Sequence, residues 1–157
     1  MNKHWILAVA VSLGAIGASP AGLAAGDEDT TGTDETRSGY EQAVRLVEAG
    51  DYRDALEILE DLDRTESGNP DVLNMLGYAH RKLGRVEGAF NRYREALAIE
   101  PRHLGANEYL GELYLETGEL ESAEERLAVL ATACPSGCEE RDELAEAIAA
   151  YKEAHGL

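Results

Sequence analysis

The chain has 157 residues, enough for one domain of ordinary size, and its 31 acidic against 14 basic residues give a formal charge of −17. That is the wrong sign for a nucleic-acid partner, whose phosphates are neutralised by Lys and Arg, and it speaks against adhesion to anionic lipid. It leaves a solvated acidic face or a basic partner.

Residues 1–25 carry an export pattern. Lys3 and His4 precede an uncharged run from Trp5 to Ala25, interrupted by Pro20 and ending in the small residues Gly22, Ala24 and Ala25. A positive start, an apolar centre and a small-residue exit mark a secretory signal, so cleavage is expected after Ala24 or Ala25. The rival reading is a retained anchor, since the run is just long enough to span a bilayer; Gly14, Gly17 and Pro20 weigh against it. After cleavage no stable membrane span is expected, and the localisation that follows is periplasmic or secreted, in a bacterial cell envelope. Residues 26–38 are mostly Asp, Glu, Thr and Gly, with no large apolar side chain. Such a segment cannot bury enough apolar area to offset its ordering entropy, and predicts a flexible acidic leader.

Tyr40 opens the first helical pattern, with Ala43, Val44, Leu46 and Val47 on one side and Gly50 at its end. A second helix follows, with Tyr52, Ala55, Leu56, Ile58, Leu59 and Leu62 inward. After a loop at 64–68, Asn69-Pro70 is an N-cap followed by proline in the first turn. The next helix presents Val72, Leu73, Leu76, Ala79 and Leu83 and stops at Gly84; its partner presents Val86, Ala89, Phe90, Tyr93, Ala96, Leu97 and Ile99 and stops before Pro101. The third pair runs from Leu104 through Leu110, Leu113, Tyr114 and Leu115 to Gly118, then through Leu120, Ala123, Leu127 and Leu130 to Cys134. Gly84 and Gly118, Ala89 and Ala123, Ala96 and Leu130, and Pro101 and Pro135 are each 34 residues apart. One period further back lie Gly50, Ala55 and Leu62. A fixed period of this length means stacked helical hairpins.

The residues at those positions resemble the tetratricopeptide repeat. The second copy carries its signature as Leu73, Leu76, Gly77, His80, Ala89, Tyr93, Ala96 and Pro101. The third carries it as Asn107, Leu110, Gly111, Tyr114, Ala123, Leu127, Leu130 and Pro135. The first keeps Ala43, Leu46, Ala55 and Leu59, with Gly39 and Gln42 where large apolar residues are usual. The expected fold is all-α: a right-handed α-solenoid of about three helix-turn-helix units over 39–137 (a degenerate 39–69, then 70–103 and 104–137), closed by a capping helix and tail at 138–157. Gly77 or Gly111 should let the paired helix approach closely, with Ala89 or Ala123 opposite. Terminal repeats need lids. Ser136 and Glu139 read as a capping box, and Leu144, Ala147, Ile148 and Tyr151 form the apolar stripe of that last helix.

Cys134 and Cys138 bracket the junction between the last repeat and the cap. In an exported chain a close, even pair reads as a disulfide; a redox pair is the rival, though the spacing is C-x3-C and not C-x-x-C. The histidines at 4, 80, 103 and 155 lack metal-ligand spacing, and no phosphate loop or nucleophile–base arrangement is present. No metal, cofactor or catalytic residue is predicted. The resemblance implies a concave groove, lined by the first helix of each hairpin, that grips a peptide or partner helix. Carried over by position, the groove takes Tyr40, Val44 and Val47, then Asn74, Tyr78, Arg81 and Lys82, then Glu108, Glu112 and Leu115, with Tyr78 and Arg81 as the expected anchors. The clamp that holds a C-terminal carboxylate in chaperone-binding members is not matched, because Tyr40 and Val44 stand where polar residues would be needed. The predicted function is a protein-binding adaptor or scaffold, with a self-assembling envelope protein as the alternative.

Overall fold

A computed structural model of the chain describes residues 30–157, with side-chain surroundings from residue 36 onward. The export signal and the first residues of the leader lie outside the described residues. Seven helices and no strand are present among them: α1 (Thr30–Ala49), α2 (Tyr52–Thr65), α3 (Pro70–Lys82), α4 (Val86–Ile99), α5 (Leu104–Glu116), α6 (Leu120–Ala133) and α7 (Glu139–His155). They form a solenoid of helix-turn-helix units. None of these helices is long and apolar enough to cross a membrane.

The hairpin turn is one device used three times. Gly50, Gly84 and Gly118 have φ of 83°, 70° and 83°, the left-handed region that costs glycine nothing. In each turn the amide after the glycine reaches back over the helix end: Asp51 to the Leu46 carbonyl at 2.8 Å, Arg85 to His80 at 2.9 Å, Glu119 to Tyr114 at 2.7 Å. These bonds satisfy carbonyls that the helix leaves open.

Within each unit the paired helices pack directly, α1 on α2, α3 on α4 and α5 on α6, while α2, α4 and α6 also meet the first helix of the next unit. The odd-numbered helices therefore make one layer and the even-numbered helices another. Between the layers runs an apolar seam. Ala43, Ala55, Leu56, Leu59, Leu62, Val72, Leu73, Leu76 and Ala79 form its first part; Ala89, Tyr93, Leu110 and Leu113 continue it; Ala123, Leu130, Leu144 and Ile148 finish it.

Four details differ from the sequence reading. Helix α1 starts at Thr30, so the leader's second half is helical. This stretch of α1 is tied down by the Thr36 hydroxyl, which donates to Glu66 at 2.7 Å, and just after it Gly39 lies against Leu62. No capping box forms at Ser136; Cys138 is the N-cap, extended at φ −154° and ψ 161°, and makes no side-chain cap bond. The Gly137 amide closes a turn on the Cys134 carbonyl and leaves Ser136 exposed within it. Val86 and Ile99, expected inward, are 38% and 51% exposed, because they are the first and last residues of α4 and overhang their neighbours. Finally, the close approach at Gly77 is made by Tyr93 of the paired helix, but at Gly111 it is made by Leu144 of α7, whose Cδ2 would lie 2.6 Å from an added Cβ.

Candidate functional site

The odd-numbered layer carries the predicted groove residues, and it brings them together unequally. Tyr78 of α3 is half-buried between two other tyrosines. Its ring lies 6.4 Å from Tyr52, edge-on, and 4.8 Å from Tyr109, tilted. Tyr109 in turn lies 6.4 Å from Tyr93. Lys82 is exposed and holds its Nζ 5.0 Å from the centre of the Tyr78 ring, a cation over an aromatic face.

Arg81 does not project as an anchor. Its side chain is only 8% exposed and its guanidinium is spent on α5, bonding Glu112 and, at 2.6 and 2.9 Å, Glu116. Burial alone would lower its affinity for its proton, but the hydrogen bonds and charges of Glu116 and Glu112 outweigh that and raise it. The expectation of Arg81 as a free partner-binding residue is therefore corrected: it clamps α3 to α5. The physical reason is the 34-residue register, which sets glutamates on the next helix within reach of a long side chain.

Asn74 and Glu108 stand at the same register on α3 and α5, and both are buried, 6% and 3% exposed. Glu108 meets Glu143 of α7 in a carboxyl–carboxyl hydrogen bond. Burial first, then that bond, then the charges of Glu112, Glu143 and Glu140 push its pKa up to about 9. Glu112 and Leu115 are half-buried and, with Arg81, Glu116, Ala147 and Tyr151, line a pocket of about 330 Å³ where α3, α5 and α7 meet. Tyr40 and Val47 of α1 are half-buried against the first part of the seam. Burial and then the Asp71 charge push the Tyr40 hydroxyl up to about 12.

Sequence reasoning missed Tyr109, Glu116 and Glu143. A signal for α7 existed: one period beyond Leu76 and Leu110 lies Leu144, so this helix occupies the place of a fourth first helix and adds its glutamates to the same layer. It also missed the role of His103, the N-cap of α5. Its Nδ1 accepts from the Ala106 amide at 3.0 Å, which leaves Nε2 to donate to Asp71 at 3.0 Å. His80, read as a packed helix-face residue, is half-buried against Gly88; burial, then the charges of Arg85 and Arg92, lower its pKa. Cys134 and Cys138 are joined by a disulfide with Cα atoms 6.0 Å apart.

A family model for the tetratricopeptide repeat matches residues 46–89 and 80–133, together more than half of the chain. The chain belongs to the tetratricopeptide repeat family. No curated protein matches it significantly over its sequence. Among solved structures of this fold, the type III secretion translocator chaperone SycD from Yersinia enterocolitica is similar at a TM-score of 0.69 and 20% identity, over 80% of this chain and 88% of that one. PcrH from Pseudomonas aeruginosa is similar at 0.65 and 21%, over 79% and 93%. The Sgt2 repeat domain from Aspergillus fumigatus is similar at 0.69 and 17%, over 78% and 80%. At these identities the likeness is one of fold.

Proposed function

We propose that this tetratricopeptide repeat protein is an exported adaptor of the cell envelope that holds a segment of another polypeptide along its odd-numbered helices. The observation that carries the reading is the half-buried tyrosine pair Tyr78 and Tyr109 on α3 and α5 of that layer, with Tyr52 from the start of α2 set edge-on against Tyr78. Tyrosine offers a large, stiff contact area with a polar tip, the composition that interface anchors favour. Two other proteins of this fold support it. SycD has been solved with a peptide of the translocator YopD, and PcrH with the chaperone binding region of PopD. Export rests on the signal pattern of residues 1–25 and on the cysteine pair.

The test is site-specific photocrosslinking in the cells that make the protein. A photoreactive side chain at Tyr78 or Leu115 should capture a partner, and one at Ile99, exposed on the other layer, should not. Capture from Ile99 alone would move the binding surface to the even-numbered helices. Fractionation of the same cells, with sequencing of the mature N-terminus, tests export and cleavage after Ala24 or Ala25.

A further inference from the structure

Toward the C-terminal end of the odd-numbered layer, α3, α5 and α7 enclose an open recess of about 330 Å³. Leu115, Ala147 and the Tyr151 ring are its apolar lining; Arg81, Glu112 and Glu116 are its polar lining. The apolar part comes from register. Leu115 stands one period after Arg81, and Ala147 and Tyr151 lie four apart, on one face of α7. The walls are held in place by the chain itself. Arg81 bonds Glu112 and Glu116 and so joins α3 to α5. Lys152 pairs with Glu124 at 2.5 Å and joins α7 to α6. The Tyr151 ring is stacked on His155 with centroids 4.0 Å apart, and its hydroxyl lies 3.9 Å from where a Cβ on Gly118 would stand. A recess built in advance spares a ligand the cost of ordering the protein.

Size and charge together say what fits there. Leu115, Ala147 and Tyr151 are each half-buried, so a docking group would remove further apolar surface from water. The volume lies near the bottom of the range of about 300–1,000 Å³ for ligand pockets. That is room for a side chain, not for a helix. Two carboxylates share one guanidinium, so the lining carries one negative charge in excess. Glu116, whose side chain is 51% exposed, presents it to solvent. The lysines of α3 and α7 do not offset it: Lys82 lies over the Tyr78 ring, and Lys152 is spent on Glu124. A second copy of the chain, itself at −17, is repelled by an acidic rim, whereas a basic segment is drawn to it.

Building on the reading that this layer holds a peptide, we propose that the recess between α3, α5 and α7 seats one large apolar side chain of that peptide, next to a lysine or arginine that pairs with Glu116. The apolar side chain lies against Leu115, Ala147 and Tyr151 and leaves water. Its basic neighbour stays at the rim beside Glu116, while Arg81 keeps Glu112. The buried contact supplies most of the affinity, because apolar burial is worth more than a half-exposed ion pair. The ion pair supplies the choice among apolar sequences.

The experiment is selection from a random display library of short peptides on the mature chain at neutral pH, followed by affinities on two variants. Ala147→Phe fills the recess from a half-exposed position, and Glu116→Gln removes the excess charge with little change of shape. Circular dichroism checks that both fold, and Ala147→Met is the smaller filling if phenylalanine disturbs α7. Peptides taken by the wild type should share an apolar residue with a lysine or arginine beside it. A selected peptide should bind Ala147→Phe about ten-fold or more weakly. It should bind Glu116→Gln about two- to five-fold more weakly at low salt, and that gap should close in about 1 M salt. Its counterpart with acetyl-lysine for lysine, or citrulline for arginine, should lose the same factor on the wild type and nothing on Glu116→Gln. Selected peptides that bind the filled variant as tightly as the wild type, that carry no basic neighbour, or that ignore Glu116→Gln at low salt overturn the site while the peptide-holding reading stands. Failure of the wild type to select any peptide overturns both. Sedimentation without peptide tests the other occupant: self-association of the wild type that Ala147→Phe abolishes would give the recess to a second copy and overturn the proposal.

Discussion

Replacing Glu108 by glutamine should make the protein more resistant to urea at neutral and alkaline pH while changing little near pH 5. Glu108 is 3% exposed, and burial above all pushes its pKa up to about 9 from an ordinary 4.5. Between those values the native state holds a proton that the unfolded chain has given up. Stability is therefore complete below the unfolded pKa and falls as pH rises toward the folded one. Each pH unit in that window is worth about 1.4 kcal/mol, so from about pH 5 to about pH 8 the wild type loses about 4 kcal/mol through this residue. The neutral amide removes that loss. With a urea slope of roughly 1–3 kcal/mol per molar, the wild-type midpoint should fall by about 2 M relative to the variant's over the same range. Far-ultraviolet circular dichroism in urea, run at several pH values on both proteins, reads this directly. The other carboxylates of this acidic chain act on both proteins alike, so the difference isolates the Glu108–Glu143 pair. Midpoints that run parallel across the range would show that Glu108 is ionised in the native state, and would refute the argument.

Three further outcomes follow from the packing. Gly77→Ala places a Cβ 2.5 Å from the ring of Tyr93, a fully buried side chain with no room to yield; it should cost about 1–3 kcal/mol by thermal melting. Tyr93→Phe removes a buried hydroxyl that has no hydrogen-bond partner, and is expected to leave stability unchanged or raise it by about 1 kcal/mol; a clear loss in the same melt would mean that the hydroxyl is bonded. His103→Ala deletes the side-chain acceptor for the Ala106 amide and the contact with Asp71, at a cost of about 1 kcal/mol in urea unfolding, most of which His103→Asn should restore by capping the same turn.

The amino-acid sequence by itself determined the period, the turns and the seam, because each is written locally. A glycine that tolerates positive φ closes every hairpin, Asn69-Pro70 opens α3, and the apolar residues recur at helical spacing along elements that must stack to cover one another. The same register placed Tyr78, Glu112 and Leu115 on the odd-numbered layer. What each of those side chains touches was decided only in three dimensions. Register assigns a residue to a face of its own helix, but a long polar side chain takes its partner from the helix beside it, tens of residues away in the chain. That is why Arg81 is consumed by Glu112 and Glu116, why Glu108 finds another carboxyl on α7 in place of a cation, and why Asn74 is left with an unpaired oxygen. The helical scaffold follows from repeating local preferences; the chemistry of its odd-numbered face follows from the distances between helices that only their packing fixes.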